Sequence, residues 1–322
     1  MVQEERALIK GIRQLAQGPA NRALVQGIGD DCAVLRLSPG HELLVTTDLC
    51  IENVHFRRKW HLPRCIGHRC LTRGLSDIAA MGGEPLACFL SLGLPPDLPQ
   101  PWVTGFLKGL HQLARKFDVQ LAGGDTSSAR DITADIIVTG QIPAGKAVLR
   151  SGAPPGDRIF VTGELGGSAA VLKQLYFGKK VKPSSSSRHF YPTPRLEVGR
   201  WLGQRHMATA MIDLSDGLSV DLAHICEESM VAAIVNSASV PIAPEADLNL
   251  ALHGGEDYEL LFTARRSAKI PARIAGVKIT EIGEIKKLKP STPQIRLMHP
   301  SGKLQPLKPL GWQHFAQPSR RP

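Results

Sequence analysis

The chain has 322 residues, 43% of them hydrophobic and 21% charged, and a formal net charge of +10. That length and apolar content support a substantial buried core and point to two domains, which excludes global disorder. No apolar run reaches the roughly 18–20 residues that span a bilayer, and the charged, amphipathic start MVQEERALIKGIRQLAQG is unlike a secretory leader, so a cytoplasmic location is expected.

Residues 3–17 read as a helix with Leu8, Ile9, Ile12 and Leu15 on one face. A short strand, 43–47, ends at Asp48 and is followed by a helix over 64–81, a strand at 86–94 and an amphipathic helix at 101–117. Two further strands fall at 119–122 and 132–142, the first running into Gly123-Gly124-Asp125. The breaker Ser151-Gly152-Ala153-Pro154-Pro155-Gly156-Asp157 marks the domain junction, near 145–155, giving domains 1–148 and 149–322. Beyond it come a strand at 158–162, a turn at Gly163–Gly167 opening a helix to Tyr176, and a flexible KPSSSS loop at 182–187. A strand at 209–213 leads through Asp213-Leu214-Ser215-Asp216-Gly217 into a helix to Glu227, with strands at 231–236, 257–263 and 277–282. Past 285 the Pro- and Lys-rich sequence reads as irregular, its only sizeable aromatics being Trp312 and Phe315. The fold class is α/β (α+β), with two mixed domains.

The six cysteines (Cys32, Cys50, Cys65, Cys70, Cys88, Cys226) form no C-x-x-C pair and lie mostly in apolar stretches, as reduced, buried thiols do. The basic excess is local, since residues 261–322 carry thirteen Lys/Arg against Glu281 and Glu284. Without a recognition motif or interleaved aromatics it reads first as a solvated face, then as an attractant for anionic substrates, and last as a nucleic-acid surface.

Six clusters carry the chemistry: Gly29-Asp30-Asp31; Thr46-Thr47-Asp48; Ser76-Asp77; Gly123-Gly124-Asp125-Thr126; Asp213-Leu214-Ser215-Asp216; and Gly254-Gly255-Glu256-Asp257. Each alone is unspecific, because Asp-rich turns and helix caps are common. Together they share one form, a glycine or hydroxyl turn at a strand end bearing a carboxylate. Carboxylates about 4 Å apart repel by roughly 4 kcal/mol at an effective dielectric near 20, so such a cluster needs cations. Oxygen-only donors favour Mg²⁺ or Mn²⁺, which commonly serve phosphoryl transfer.

Three patterns are decoys. Gly140 to Ala147 fits G-x-x-x-x-G-K but lacks the Ser/Thr and the following helix of a P-loop. His61, Cys65, His68 and Cys70 match no standard zinc spacing. Gly163 to Ser168 could hold an anion at a helix N-terminus, yet tight strand–helix packing is the better reading.

In order, GIGDDCAVL, TTD with NVHF, LSDIAAMGGEP, GGDT, RSGAPPGD, VTGELGGSAAVL, IDLSDGLSVDLAHI, GGEDYELLFTA and a terminal GWQHF resemble the thiamine-monophosphate kinases, in the superfamily of aminoimidazole ribonucleotide synthetase and selenophosphate synthetase. The resemblance implies an ATP-dependent enzyme making thiamine diphosphate from thiamine monophosphate, with N-terminal domains pairing in a homodimer. It implies several Mg²⁺ ions on Asp31, Thr46, Thr47, Asp48, Asp77, Asp125, Asp213 and Asp216, with Asp48 and Asp125 central to catalysis. Gly124, Asp125, Arg150 and Ser215 would contact ATP, and His55, Glu256 and Trp312 the substrate. The chain departs from the family at Gly74, where Asn is usual, and at Lys146, where Arg is usual. A sister enzyme acting on another metabolite and a nucleic-acid-binding protein are the alternatives.

Overall fold

The computed structural model describes residues 5–16, 23–28, 32–183 and 188–312. Two compact units emerge: Met1–Ala147 with Lys182–Leu196, and Val148–Val181 with Glu197–Pro322.

In the first unit, α1 (Glu5–Ala16), β1 (Leu24–Gln26) and β2 (Val34–Leu35) precede β3 (His41–Ile51), α2 (Pro63–Ala80), β4 (Glu84–Leu94), α3 (Gln100–Lys116), β5 (Gln120–Ser128) and β6 (Thr133–Pro143). The last four strands named form one sheet in the order β3-β6-β4-β5, with β6 antiparallel to both neighbours and β4 parallel to β5 across the α3 connection. The period of two decides which side is buried. Along β3, Cys50 is buried while Leu43 (49% exposed), Val45 (62%) and Leu49 (49%) line an open face. Helices α2 and α3 approach closely because glycine permits it: a Cβ on Gly67 would lie 1.9 Å from Phe106 O, and one on Gly109 2.0 Å from Arg64 O. At Gly74 a Cβ would lie 2.5 Å from Val138 Cγ2, so this chain's seat for α2 on β6 is built for the residue it has.

Residues 188–192 fold onto this unit. His68 Nε2 donates to Pro192 O (2.7 Å), Arg69 donates to His189 O, and the His61 and His189 Nε2 atoms are 3.0 Å apart. The histidines of the zinc decoy are thereby committed to packing, and Cys65 and Cys70 are fully buried in α2. Residues 184–187 of the expected KPSSSS loop lie outside the described residues.

The second unit contains β7 (Arg158–Thr162), α4 (Gly167–Tyr176), α5 (Leu196–Gln204), β8 (Ala210–Asp213), α6 (Leu218–Glu228), β9 (Val231–Asn236), α7 (Leu248–His253), β10 (Leu260–Ala264), β11 (Arg273–Ile274), β12 (Val277–Lys287), β13 (Ile295–Met298) and β14 (Leu304–Pro306). Its sheet runs β14-β13-β9-β12-β7-β10-β8, with β11 paired to β12. Ile159, Val161, Ile212, Leu222, Leu261 and Ile285 belong to one buried cluster that joins strands to α6.

Four sequence expectations need correction. β3 runs through Asp48 to Ile51, because β6 pairs with it along its full length. β5 likewise continues through Gly124 and Asp125, held by β4. The strand expected at 257–263 starts only at Leu260, since Glu256 (φ 65°) and Tyr258 (φ 51°) have backbone that no strand adopts. The tail beyond 285 is not irregular: β13 lies parallel to β9, burying Ile295 and Leu297. Helices α5 and α7 were not foreseen.

Candidate active site

In the first unit Thr46 Oγ1 donates to an Asp77 carboxylate oxygen, joining mid-β3 to the last turn of α2. Asp48 faces the same helix, and Arg73 Nε lies 3.5 Å from Asp48 Oδ1. Burial, with the neighbouring Asp77 carboxylate second, pushes the Asp48 carboxyl up to about 6 despite Arg73. Two carboxylates and a hydroxyl, only partly balanced by one guanidinium, form an oxygen-donor set short of positive charge, and this suits Mg²⁺.

The two threonines separate. Thr47 Oγ1 turns to the open face of the sheet and donates to Asp135 Oδ1 at 2.8 Å. Asp135 registers with Ser91, and Ser91 with Asp125, so Asp125 shares that cross-strand row rather than the row of Asp48, Ile136, Leu90 and Gly124. Asp125 is exposed and accepts from Thr126 N at 2.8 Å. Its predecessor Gly124 holds φ +150°, and a Cβ there would lie 1.9 Å from Leu90 O, so a bare backbone is obligatory at this point. His55 Nδ1 accepts from Ile51 N at 3.0 Å, which leaves the ring proton on Nε2. The expectation for Asp31 lies outside the described residues.

The second unit presents the Asp213–Asp216 turn at the C-terminal end of β8, opening α6. Asp213 is 4% exposed and Asp221, in the first turn of α6, only 2%. Asp221 Oδ2 accepts from Asp216 N (3.2 Å) and Gly217 N (3.0 Å), clamping the turn. Burial and then the Asp213 and Asp216 charges raise the Asp221 carboxyl well above its usual range. The loop after α7 zips onto the same turn, with Glu256 N donating to Ser215 O (2.8 Å) and Tyr258 N to Leu214 O (2.9 Å). Trp312 N donates to Asp216 O at 3.1 Å, which ties the backbone of this exposed residue (37%) to the turn that carries the aspartates. Arg150 is exposed, its carbonyl accepting from Ser229 Oγ at 2.7 Å.

Two carboxylates near these loops have structural tasks. Asp257 accepts from Gly166 N (2.6 Å) and Ser168 N (3.2 Å), filling the N-terminus of α4, so that helix end offers no anion site. Glu259 accepts from Thr162 Oγ1 at 2.5 Å. The G-x-x-x-x-G-K decoy begins inside β6 and ends in the turn after it, with Lys146 N donating to Pro143 O and the strand β7, not a helix, as the next element.

The structure thus brings Thr46, Asp48 and Asp77 together in one unit, and Asp213, Ser215, Asp216, Glu256 and Trp312 in the other. Among the described residues no three His, Cys, Asp or Glu side chains stand together as a ready-made metal cluster. Sequence reasoning missed Asp135 and Asp221. Asp221 was within reach, as a carboxylate in the first turn of the helix that the Asp213–Asp216 turn opens. Asp135 was not, because only strand pairing reveals it.

Comparison with known proteins completes the description. Models of the AIR synthase related protein N-terminal and C-terminal domains match residues 29–142 and 154–293. The chain is 38% identical over 276 residues to the thiamine-monophosphate kinase of Escherichia coli (strain K12), spanning 80% of this chain and 83% of that one. The crystal structure of thiamine-monophosphate kinase from Stenotrophomonas maltophilia K279a superposes with a TM-score of 0.79 at 34% identity, covering 92% of this chain and 97% of the other. AaThiL complexed with AMPPCP and TMP superposes with a TM-score of 0.76 at 30% identity, covering 97% of each chain.

Proposed function

The chain belongs to the thiamine-monophosphate kinase family, within the AIR synthase related proteins, and we infer that it transfers the γ-phosphoryl group of ATP to thiamine monophosphate. The observation that carries the reading is full-length similarity to AaThiL complexed with AMPPCP, an ATP analogue, and TMP. With ATP and Mg²⁺ present, ADP release should appear with thiamine monophosphate and not with a panel of other phosphorylated metabolites. Turnover that prefers another acceptor would move the chain to a sister activity.

Thr46, Asp48 and Asp77 fit Mg²⁺ by their donor set, and we assign Thr47, Asp125, Asp213, Asp216 and Asp31 to the same task. Mg²⁺ held by these residues would supply positive charge to offset that of the phosphates. The chain's own residues supply position. Gly124 leaves backbone open to a close approach, Arg150 and Ser215 offer donors to ATP, and Asp221 holds the turn that aims Asp213 and Asp216. The attacking substrate oxygen is already anionic, so no general base is needed. Transfer is direct, forming the new P–O bond as the bond to the ADP oxygen breaks.

His55, Glu256 and Trp312 face thiamine monophosphate in this reading. The indole suits the cationic thiazolium by cation–π attraction. Trp312→Ala should raise KM for thiamine monophosphate by the loss of roughly 1–2 kcal/mol and leave KM for ATP nearly unchanged. An equal rise in both would make Trp312 structural.

The open face carrying Leu43, Val45 and Leu49 is the surface on which a second copy would pair, giving a homodimer. Light scattering on a sizing column should give twice the chain mass at micromolar concentration, and monomer alone would refute the pairing. No helix among the described residues is long and apolar enough to cross a membrane. The six free cysteines suit the reducing cytoplasm, where we place the enzyme.

A further inference from the structure

A cleft of about 340 Å³ opens on the outer side of the first unit, lined by Arg64, Lys108, His111, Gln112 and Arg115. The four residues from α3 recur at helical spacing and form one stripe, and Arg64 reaches them from the first turn of α2. Among the described residues no carboxylate lines the cleft. Arg64 is held by Gln112, whose Oε1 accepts from both Nε (3.2 Å) and Nη2 (2.7 Å), so its guanidinium is oriented without being neutralised. Its position also runs against the field of α2, whose first turn has no acidic residue and whose N-cap, Leu62, makes no side-chain cap bond. Arg64 stands at the positive end of α2, while Arg115 lies in the last turn of α3, where the helix field favours a cation. Three permanent cations share the lining of one cleft, and an anion would relieve their mutual repulsion. The cleft is separate from the Asp48–Asp77 pair, because Arg64 and Asp77 sit at opposite ends of α2, about 20 Å apart at ~1.5 Å per residue.

We propose that this cleft between α2 and α3 binds a compact phosphate-bearing anion of the oligophosphate class, as a second site apart from the catalytic one. Arg64, Lys108 and Arg115 supply charge and N–H donors, the guanidinium forks matching phosphate oxygens. His111 reports occupancy. Burial, and then the Arg115 charge, lowers its pKa, so the ring is neutral near pH 7, and an adjacent anion would push it back up.

The test is NMR of the full chain labelled with ¹³C-histidine, with the His111 signal assigned by its loss in His111→Gln. Titration with inorganic diphosphate should shift the His111 resonance saturably, with half-saturation below about 1 mM, and Lys108→Ala/Arg115→Ala should weaken it at least ~10-fold. No nucleotide is added to this titration, and it is repeated on Asp48→Asn, so that binding at the catalytic site is told apart from binding in the cleft. A parallel arm with ADP separates free diphosphate from the phosphates of a nucleotide. Both substituted side chains are exposed, so the fold and basal turnover should persist, and the conservative Lys108→Arg should keep binding. No saturable shift below about 10 mM, or the same affinity in the double variant, would mean an adventitious ion only and would overturn the proposal.

Discussion

Asp48→Asn is expected to lower kcat at least ~100-fold, the size seen when one preorganised electrostatic group is removed from an active site. The reason lies in what surrounds Asp48. Its carboxyl is held partly out of water against Asp77, and burial together with that neighbour raises it to about 6, with Arg73 opposing incompletely. A folded carboxyl that titrates above its unfolded value near 3.9 destabilises the protein wherever it is charged, here above about pH 6, and the handicap disappears as pH falls from about 6 to about 4. Metal-free Asp48→Asn should therefore melt no lower than wild type at pH 7.5. Its advantage, on the order of 2 kcal/mol after discounting a side chain 25% exposed, should vanish near pH 4. Mg²⁺ with AMPPCP should reverse the order by stabilising wild type far more. Asp125→Asn should cost similar activity, although Asp125 is exposed and stands in a different cross-strand row. Near-normal turnover in Asp48→Asn would remove the residue from the mechanism.

Gly124→Ala should both destabilise the first unit and depress activity. A Cβ there would sit 1.9 Å from Leu90 O and 2.6 Å from Leu90 C, atoms of the paired strand that cannot rotate away as a side chain could. The backbone at φ +150° adds strain of its own. Overpacking of this kind costs ~1–3 kcal/mol, and with the strain a loss of about 3 kcal/mol is expected, a Tm fall of roughly 6–12 °C for a unit of this size. Relief by a register shift would move Asp125, so kcat should fall at least ~10-fold even at temperatures where the variant is fully folded. A melting point within 2 °C of wild type would mean that β4 and β5 are not locked at this position.

The carboxylates were readable from the sequence; their surroundings were less so. The short motifs marked Asp48, Asp77, Asp213 and Asp216 because glycine and hydroxyl residues flank them, but strand ends were assumed where strands continue. β3 passes through Asp48 because β6 pairs with it over eleven positions, a long-range fact that local propensity around Thr46 and Thr47 cannot carry. The same pairing sends Thr47 to Asp135 and Thr46 to Asp77. In the GGEDYEL segment the sequence displayed three acids and the structure gives them three tasks: Glu256 beside Ser215, Asp257 capping α4, and Glu259 bonded to Thr162. Burial separates these roles, and burial belongs to the tertiary fold. The tail past 285 misled because lysines and prolines surround the short alternation of Ile295 and Leu297, which pairs with a strand some sixty residues earlier.

The central claim is direct transfer of the γ-phosphoryl group from ATP to thiamine monophosphate, and following the label in γ-³²P ATP tests it most directly. With enzyme, Mg²⁺ and thiamine monophosphate, the label should appear in thiamine diphosphate in equal amount to the ADP formed, and protein recovered after incubation with labelled ATP alone should carry none. Labelled protein, or label released as inorganic phosphate while thiamine monophosphate stays unchanged, would contradict the account.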